Sequence, residues 1–443
     1  MLHITNTKTG KKELFKPKNE DVVNLYVCGI TPYDFAHIGH GRCYVMFDLL
    51  YRLLIFSGYK VVYCRNFTDI DDKILKRAEQ EFGDKSRYRE ISERFIRAYH
   101  EDIDRLNCHH PDKEPKVTEY IDEIISFVDG LIAKGAAYEV EGNVYFRVRS
   151  FENYGKLSKQ NVDDLRSGAR IEINSHKEDA LDFALWKRDD SEAAFDSPWG
   201  KGRPGWHIEC SAMARSYFHD VVDIHGGGMD LIFPHHENET AQSESLYPAP
   251  FVEYWMHNAF VRINEEKMSK SLGNFFTLRD VFEQFDPMVI RFYFLKHYYR
   301  APIDFSFDDI RAVETTYKRL VAAFKDVVAA ELESQQLVKN RWISEIVTFL
   351  SDDLNSSGAF GVIFEALRAD ASPQELAELK TMIVRLFGLT LEPLIEEKVE
   401  ITSEIQSMID EREQARRDKN WKKSDEIRDK LLKFGVEIND SKV

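Results

Sequence analysis

The sequence contains 443 residues, of which 43% are hydrophobic and 31% are charged, a composition typical of a folded globular protein and not of a disordered chain. Its formal net charge of -16 argues against broad nucleic-acid binding, although a local basic patch is compatible with it. The five cysteines are widely spread, which argues against a disulfide framework and favours metal binding or catalysis for some of them. No apolar run approaches the roughly 20 residues of a membrane span, and the polar stretch 1–10 shows no signal peptide, so we expect a cytoplasmic protein without a membrane segment.

The first part of the chain alternates predicted strands and helices. A short apolar run at 25–27 stops at Cys28 and Gly29, and residues 41–56 have a helical periodicity that ends at Gly58, a suitable C-cap. A second strand, rich in valine and tyrosine, follows at 60–65. This order predicts a βαβ unit and therefore an α/β fold with a Rossmann-like parallel sheet. Three long helices are predicted next, at 70–81, 86–106 and 117–134.

The pattern changes in the middle of the chain. Residues 137–147 alternate apolar and polar side chains, as a strand does, whereas 161–197 is polar and irregular and predicts an insertion in the sheet. Strand character returns in two places, at 221–225 before three glycines and at 260–264. Beyond Asp308 the pattern is almost purely helical up to about Phe387, and a smaller charged unit begins at Ile401.

The first candidate site, His37-Ile38-Gly39-His40, lies between the first predicted strand and the first predicted helix. Ligands of open parallel sheets bind outside the carboxyl ends of the strands. Two imidazoles beside a helix N-terminus suit a polyphosphate, because both can donate hydrogen bonds and the helix dipole favours anions. Two surface histidines in a turn are an equally good interpretation of this tetrapeptide alone.

The second candidate site is Lys267-Met268-Ser269-Lys270-Ser271, a hydroxyl-rich segment after the predicted strand 260–264. Its two lysines can clamp a triphosphate and stabilise the charge that develops on leaving pyrophosphate. A solvated basic loop is the alternative for this pentapeptide alone. In combination, however, the two segments resemble the paired signatures of class I aminoacyl-tRNA synthetases.

A third group of residues has the chemistry of a metal site. Cys28 ends the first strand, and Cys210 lies far downstream. Pro234 fits the first position of a helix, which would put His235 and Glu239 on one helical face at i and i+4. Two thiolates, an imidazole and a carboxylate suit zinc, and zinc lowers the pKa of a bound substrate thiol from its free value of about 8.5. Two buried structural thiols are the alternative for the cysteines.

From Leu25 to at least Gly435, the chain resembles the cysteinyl-tRNA synthetase family, with further matching stretches at 66–73, 197–200 and 225–231. The resemblance implies zinc ligation by Cys28, Cys210, His235 and Glu239. It implies catalysis and ATP binding by His37, His40, Lys267 and Lys270, with Gly227 and Asp230 also at the ATP site. It implies an amino-acid pocket with Gly29, Thr68, Trp206 and His225, in which Trp206 closes over the substrate.

The implied activity is ATP-dependent ligation of L-cysteine to tRNA(Cys) through a cysteinyl-adenylate, with one Zn²⁺ per chain and Mg²⁺ accompanying ATP. A zinc–thiolate bond separates cysteine from serine, which ordinary pocket contacts do poorly for nearly isosteric side chains. We therefore expect no editing domain, and the insertion 137–198 is also small for one. The implied partners are tRNA(Cys), ATP and L-cysteine, and the family implies a monomer.

The resemblance also implies a domain order: a Rossmann-like catalytic domain with an inserted connective domain, then an α-helical bundle and a small C-terminal anticodon-binding unit. The boundaries are 1–136 and 199–258 for the catalytic halves, 137–198 for the insertion, 259–308 for a stem-contact region with the second signature, 309–400 for the bundle and 401–443 for the last unit. Within that unit, 411–433 has nine basic and six acidic residues, and Trp421 suits stacking on an unpaired base. A solvated helix face is the alternative.

Several other side chains are expected to be structural. Cys43 and Cys64 fit the apolar patterns of a helix and a strand, and the segment Cys108-His109-His110 lies between two predicted helices. His207 and His236 adjoin ligand candidates but are expected to point elsewhere.

Two rival functions stay open. A synthetase-like ligase could join cysteine to a small amine, although the segment 401–443 argues against it. An inactive RNA- or zinc-binding paralogue is the other rival, and the complete set of signature and ligand residues argues against that.

Overall fold

The computed structural model describes residues 1–161, 176–263, 266–267, 275–369, 371–394, 403–418 and 420–433. They belong to two compact units, Met1–Pro393 and Leu394–Val443, and each is described by itself. The strands of the first unit are β1 (His3–Asn6), β2 (Lys11–Leu14), β3 (Val22–Ile30), β4 (Lys60–Phe67), β5 (Ala137–Val140), β6 (Asn143–Phe146), β7 (Phe183–Arg188), β8 (Gly202–Pro204), β9 (Val222–Gly228), β10 (Val252–Asn258), β11 (Val261–Ile263), β12 (Glu266–Lys267) and β13 (Ile303–Asp304).

The helices of the first unit are α1 (Ile38–Phe56), α2 (Asp72–Phe82), α3 (Tyr88–Arg105), α4 (Ile121–Ala133), α5 (Trp206–Phe218), α6 (Glu237–Leu246), α7 (Leu278–Phe282), α8 (Pro287–Lys296), α9 (Phe307–Ala323), α10 (Ser334–Leu337), α11 (Arg341–Ser351), α12 (Ser356–Arg368) and α13 (Pro373–Met382). The second unit contains α14 (Ser403–Arg417) and α15 (Trp421–Lys433).

The centre of the first unit is a four-stranded sheet in the order β10-β9-β3-β4, in which every neighbouring pair is parallel. Val27 of β3 pairs with Arg65 of β4 on one side and with Gly226 of β9 on the other. Because β3 is enclosed by neighbours and mostly buried, it reads as a continuous apolar run and not as an alternating one. The predicted βαβ unit and parallel sheet are confirmed.

Helix α1 connects β3 to β4 and covers one face of this sheet. It begins three residues before its predicted start because His37 caps it with a ring nitrogen that accepts the backbone N–H of His40. It ends just before Gly58, which has a φ of 95° in the left-handed region that suits a helix C-terminus. A Cβ added at Gly226 would lie 2.1 Å from Phe47 Cζ, so the helix packs closely on the sheet at that glycine.

Two parts of the predicted strand pattern are wrong. Residues 137–147 are a hairpin and not one strand, because Glu141 (φ 51°) and Gly142 (φ 82°) form a tight turn between β5 and β6. The region 161–197, predicted to be irregular, contains β7, which pairs with β6 and β8 in a four-stranded antiparallel sheet. Residues 162–175 of that region lie outside the described residues.

The hairpin of β1 and β2 and the strand β10 were not predicted. β10 pairs with β9 and ends at the same edge of the parallel sheet as β3. Its last two residues, His257 and Asn258, are buried although polar. Buried polar residues disguise the hydrophobic pattern from which strands are predicted.

The region beyond β13 is helical, as predicted, and runs from α9 to α13. Helix α11 shows the reason: it buries a single face, made of Trp342, Ile343, Ile346 and Leu350, at the spacing of an amphipathic helix. In the second unit, Ile405 of α14 packs with Ile427 and Leu431 of α15. In the described part of the chain, no helix is long and apolar enough to cross a membrane.

Candidate active site at the carboxyl edge of the parallel sheet

A cavity of about 570 Å³ opens at the edge where β3, β9 and β10 end, the position at which open parallel sheets bind ligands. The predicted site residues that line it are Cys28, Gly29, His37, His40, Trp206, Gly227 and Asp230. The remaining predicted ligands, Cys210, His235 and Glu239, are buried in the group that includes Cys28. Thr68 and His225 are buried as well and contact residues of that group or its neighbours.

The first signature forms the N-terminus of α1. The rings of His37 and His40 stack with centroids 3.6 Å apart, and the Nδ1 atom of each ring accepts the backbone N–H of the other residue at 3.2 Å. Because Nδ1 is the acceptor in both rings, the proton of each neutral imidazole resides on Nε2. The geometry therefore gives both side chains an Nε2–H donor beside a helix N-terminus.

Two glycines in the cavity wall allow close approach of neighbouring atoms. A Cβ at Gly29 would overlap the carbonyl oxygen of Asn66, at 1.5 Å, so no other residue fits where β3 passes β4. A Cβ at Gly227 would lie 2.7 Å from Leu231 Cδ1 and 3.8 Å from Cys28 Cβ. At both positions the backbone itself forms the cavity wall.

The four predicted metal ligands converge at one end of the cavity. The sulfur atoms of Cys28 and Cys210 are 3.9 Å apart, and Glu239 Oε1 lies 3.8 Å from Cys28 Sγ and 3.0 Å from His235 Nε2. One ligand atom from each of the four residues lies within 4.8 Å of the others. β3 supplies Cys28, α5 supplies Cys210 and α6 supplies Glu239, so this grouping exists only in the folded chain.

His235 reaches this group by a route that differs from the predicted one. Pro234 is not the first residue of a regular helix; it lies in the irregular turn Ile232–His236, and α6 begins at Glu237. His235 and Glu239 nevertheless face each other as an i,i+4 pair. The aromatic ring of Trp206 stacks on the ring of His235 with centroids 4.3 Å apart, which puts Trp206 between that ligand candidate and the cavity.

A layer of polar side chains holds these ligand candidates in place. Glu239 Oε2 is 2.9 Å from His225 Nε2, and His235 Nδ1 is 2.9 Å from His207 Nδ1. Thr68 donates to the buried Glu209, at 2.7 Å, next to Cys210 in the chain. The contacts of His225 and His207 are of the kind that orients metal ligands and is needed for tight metal binding.

His236 was expected to point away from the ligands, and this expectation is wrong. Its Nε2 lies 3.2 Å from Cys28 Sγ, and its Nδ1 lies 2.7 Å from His257 Nε2. His236 forms, with Cys28, His225 and Glu239, a second overlapping group of possible ligands. The sequence offered no signal for this contact, because the irregular turn and the end of β10, which bring His236 and His257 together, were not predicted.

Electrostatics make the buried group attractive to a cation. Burial alone would raise the pKa of Glu239, but His225 and His235 lower it to about 2. The hydrogen bond from Cys28 lowers the pKa of Cys210, whereas burial and the adjacent Cys210 raise the pKa of Cys28. A carboxylate and a thiolate in one buried pocket favour a divalent ion, which would displace the remaining protons.

The second signature is described only in part. Lys267 belongs to β12 and pairs with Arg262 of β11, next to the cavity-lining residues Phe260 and Val261. Lys270 lies outside the described residues, as does the rest of 268–274.

The segment Cys108-His109-His110 is not one cluster. Cys108 contacts Arg291, His109 contacts Asp48, and His110 contacts Asp104. His110 also lies near His100 and Glu114, but the Nε2 of His100 is already 2.9 Å from that carboxylate. Two separate histidine–carboxylate pairs account for this group.

Solved structures with the same fold include aminoacyl-tRNA synthetases. Methionyl-tRNA synthetase from Mycobacterium tuberculosis, in complex with methionyl-adenylate, has a TM-score of 0.58 at 15% identity and covers 83% of this chain and 89% of its own. The leucyl enzyme from Agrobacterium radiobacter K84 has a TM-score of 0.58 at 12% identity, with coverage of 85% and 84%. At these identities the likeness shows the fold. Residues 14–315 match the class I (C) tRNA synthetase catalytic domain, so the chain is a class I synthetase in architecture.

Sequence relatives define the family. Residues 398–443 match the cysteinyl-tRNA ligase anticodon binding domain. The cysteine–tRNA ligase of Pelobacter propionicus is 46% identical over 99% of this chain and 98% of its own, and that of Bacillus licheniformis is 45% identical over 99% and 97%. The chain belongs to the cysteine–tRNA ligase family.

Proposed function

We propose that this chain ligates L-cysteine to tRNA(Cys) with ATP, and that Cys28, Cys210, His235 and Glu239 hold one zinc ion that recognises the substrate thiol. The observation that carries this proposal is the convergence of the four ligand candidates at one end of a cavity whose other side carries the paired His37 and His40. Family membership supports the reaction. The cavity supports the placement of cysteine at the end with the ligand candidates and of ATP at the side with His37 and His40.

The donor set fits zinc. Zinc–sulfur bonds of about 2.3 Å in a tetrahedron separate two sulfur atoms by about 3.8 Å, and the sulfurs of Cys28 and Cys210 are 3.9 Å apart. Two thiolates, an imidazole and a carboxylate match the preference of this ion. When bound, zinc supplies a Lewis acid that prefers a thiolate to a serine hydroxyl.

Side chains around the ligand candidates orient them for binding a metal ion. His225 holds one oxygen of Glu239, which leaves the other directed at the ligand group. His207 holds the Nδ1 atom of His235 and leaves Nε2 toward Glu239. Trp206, stacked on His235, covers this end of the cavity and limits the access of water to the substrate side chain.

Adenylate formation requires positioning and charge neutralisation, without a protein nucleophile. The cysteine carboxylate attacks the α-phosphate of ATP, and pyrophosphate leaves. The Nε2–H donors of His37 and His40 bind phosphate oxygens beside the N-terminus of α1, together with Lys267 and Lys270. The Mg²⁺ that accompanies ATP would supply further charge neutralisation there. Gly227 and Asp230 complete the ATP site, while Gly29 and Thr68 shape the amino-acid side. The 2′-hydroxyl of the terminal tRNA adenosine then attacks the carbonyl carbon of the adenylate, which forms the aminoacyl ester and releases AMP and a proton.

The proposed function divides the chain into regions for catalysis and regions that contact the tRNA. We assign 1–136 and 199–258 to catalysis, 137–198 to the connective insertion, 259–308 to the stem-contact region, 309–400 to the bundle and 401–443 to anticodon binding. Trp421 supports the last assignment, because it is 58% exposed and lies beside Arg416, as a base-stacking residue would. The enzyme acts as a cytoplasmic monomer.

The test of the reaction uses the purified protein with labelled cysteine, ATP, magnesium and total tRNA. We expect acid-precipitable label that excess serine does not compete away. Cysteine-dependent ATP–pyrophosphate exchange without label on tRNA would replace the proposal with the small-amine ligase. Absence of both activities would favour the inactive paralogue.

The test of the ligand set compares two adjacent histidines. We expect His235→Gln to lose zinc, measured as metal content after gel filtration, and His236→Gln to retain it. The reverse result would assign the metal to the group of Cys28, His225, His236 and Glu239 instead. Full activity in the presence of a strong chelator, with no zinc in the protein, would contradict the zinc proposal altogether.

A further inference from the structure

Arg42 of α1 is a buried cation with an unusual set of partners. Its side chain is 2% exposed, and its guanidinium donates to five backbone carbonyl oxygens, those of Ala259, Phe260, Tyr298, Tyr299 and Ala301. Among the described residues, no carboxylate oxygen lies within the 4.0 Å of an ion pair with it. Burial lowers the pKa of Arg42 to about 10, so the side chain remains charged at neutral pH. A buried charge without an ion pair costs free energy unless its hydrogen bonds are complete. We take the role of Arg42 to be the arrangement of the backbone segments that its hydrogen bonds join.

The carbonyl groups belong to two segments at the base of the second signature. Nη1 is 2.8 Å from both Ala259 O and Phe260 O, directly before β11, whose partner strand β12 contains Lys267. The other three acceptors lie in the loop 298–301, directly before β13, which pairs in parallel with β11. Arg42 therefore ties α1 to the strand pair from which the second signature begins.

The other end of the second signature is also attached to α1. Ile38 N–H donates to Phe276 O at 3.2 Å, and Leu278 N–H donates to Ala36 O at 2.8 Å. At Gly41 an added Cβ would lie 2.7 Å from Leu278 Cδ2. The described residues before and after 268–274 are thus both attached to the first turns of the helix that carries His37 and His40, on one side through Arg42 and β11 and on the other through Phe276 and Leu278.

From this arrangement we infer that Arg42 is a positioning residue for the nucleotide half of the reaction, which sets where the second signature begins relative to the first. This inference rests on the proposed function. The planar guanidinium reaches two segments at once with donors in fixed directions, whereas a lysine ammonium is a single point with three donors. A displacement of about 1 Å between two binding groups can cost about 10²-fold in rate, which is the scale of the effect we expect.

The test compares Arg42→Lys and Arg42→Met with Arg291→Lys as the matched control. Arg291 is equally buried and also donates to backbone carbonyls, those of Leu106, Asn107 and Phe387. It differs from Arg42 in two ways: it has an ion pair with Asp48, and none of its partners lines the cavity, whereas Ala259 and Phe260 do. Each variant is measured by cysteine-dependent ATP–pyrophosphate exchange at varied ATP and varied cysteine, by bound zinc and by melting temperature.

For the Arg42 variants we expect a higher KM for ATP and an exchange kcat lower by about 10²-fold, with bound zinc and the KM for cysteine within twofold of wild type. For Arg291→Lys we expect a lower melting temperature with both KM values unchanged. The inference is overturned if the KM values for ATP and cysteine rise by the same factor, or if the Arg42 and Arg291 variants with equal losses in melting temperature have the same kinetics.

Two further arms keep the result decisive. If neither Arg42 variant folds, Gly41→Ala tests the other attachment, and an unchanged KM for ATP in that folded variant contradicts the inference. Wild-type protein without cysteine-dependent exchange would refute the proposed function itself. Active wild type with unaffected Arg42 variants would refute only the role of Arg42.

Discussion

The two ends of the cavity are built in different ways. At the end that we propose for the amino acid, Cys210, His235 and Glu239 are almost fully buried and are held by contacts between side chains. At the nucleotide end, His37 and His40 are half-buried and are held by backbone groups, directly through the helix cap and indirectly through Arg42. The end with the ligand candidates is enclosed and rich in charged groups. The end with His37 and His40 is open and is formed by segments that contact helix α1.

Under the proposed function, the difference follows from what each end has to do. Discrimination between two nearly isosteric amino acids needs ligands fixed before the substrate arrives, and a buried network with low dielectric provides that rigidity. ATP must enter and pyrophosphate must leave, so the nucleotide end needs accessible hydrogen-bond donors. Their positions are set by buried contacts of the helix and backbone segments that carry them. We expect mutations at the first end to act on metal content and amino-acid choice, and those at the second end to act on ATP and the rate of activation.

The largest expected effect is that of Cys210→Ser. Replacing a thiolate ligand by a hydroxyl should remove most of the zinc and lower kcat/KM for cysteine by on the order of 10⁴-fold, as when a site loses the group on which recognition depends. ATP affinity, measured by direct titration, should change little. Cys108→Ser, at a buried thiol outside the ligand group, is the control, and equal losses in both variants would contradict the assignment.

His40→Asn should show the opposite pattern. Loss of one phosphate donor should lower the kcat of pyrophosphate exchange by about 10²- to 10³-fold, with zinc content and the KM for cysteine unchanged. His110→Asn, on the exposed side of the molecule and paired with Asp104, provides the control for a histidine substitution as such. A reduced zinc content in His40→Asn would show that the two ends are not independent.

His225→Asn sharpens the comparison within the amino-acid end. His225 does not line the cavity, but its side chain contacts Glu239. We therefore expect the zinc affinity to fall by about 10- to 100-fold, measured by competition with a chelator. Saturating zinc should restore exchange activity, whereas it should not restore Cys210→Ser. An unchanged zinc affinity would mean that Glu239 needs no support or is not a ligand.

Trp206→Ala should give the smallest effect. Loss of the stacking contact with His235 corresponds to about 1 kcal/mol, so the KM for cysteine should rise by roughly tenfold or less, with full zinc content.

Trp421→Ala, at an exposed tryptophan in the other unit, should leave exchange unchanged and weaken tRNA charging. An effect of Trp421→Ala on exchange would contradict that separation.

Much of the architecture could be predicted from local pattern. The β3–α1–β4 unit follows from a buried apolar run, a helical periodicity and a second run at short spacing, and α9 to α13 follow from amphipathic helices. The hairpin at Glu141 was not predicted because its tight turn lacks a typical turn sequence. The strand β10 was not predicted because its buried polar residues hide the hydrophobic period. The same gap concealed the contacts of His236 with Cys28 and His257.

The sequence by itself determined which chemical groups are available, because the two signatures and the Cys, His and Glu candidates are recognisable from residue type, spacing and resemblance. Only the tertiary structure decided which of them meet: that Cys28 and Cys210 approach to 3.9 Å, that His236 joins them, and that Arg42 donates to the backbone directly before β11 and in the loop before β13. The reason is physical. Local pattern reports each residue's preference for helix, strand or burial, whereas these contacts join residues from strands and helices far apart in the chain, and they form only when the sheet brings the ends of β3, β9 and β10 to one edge.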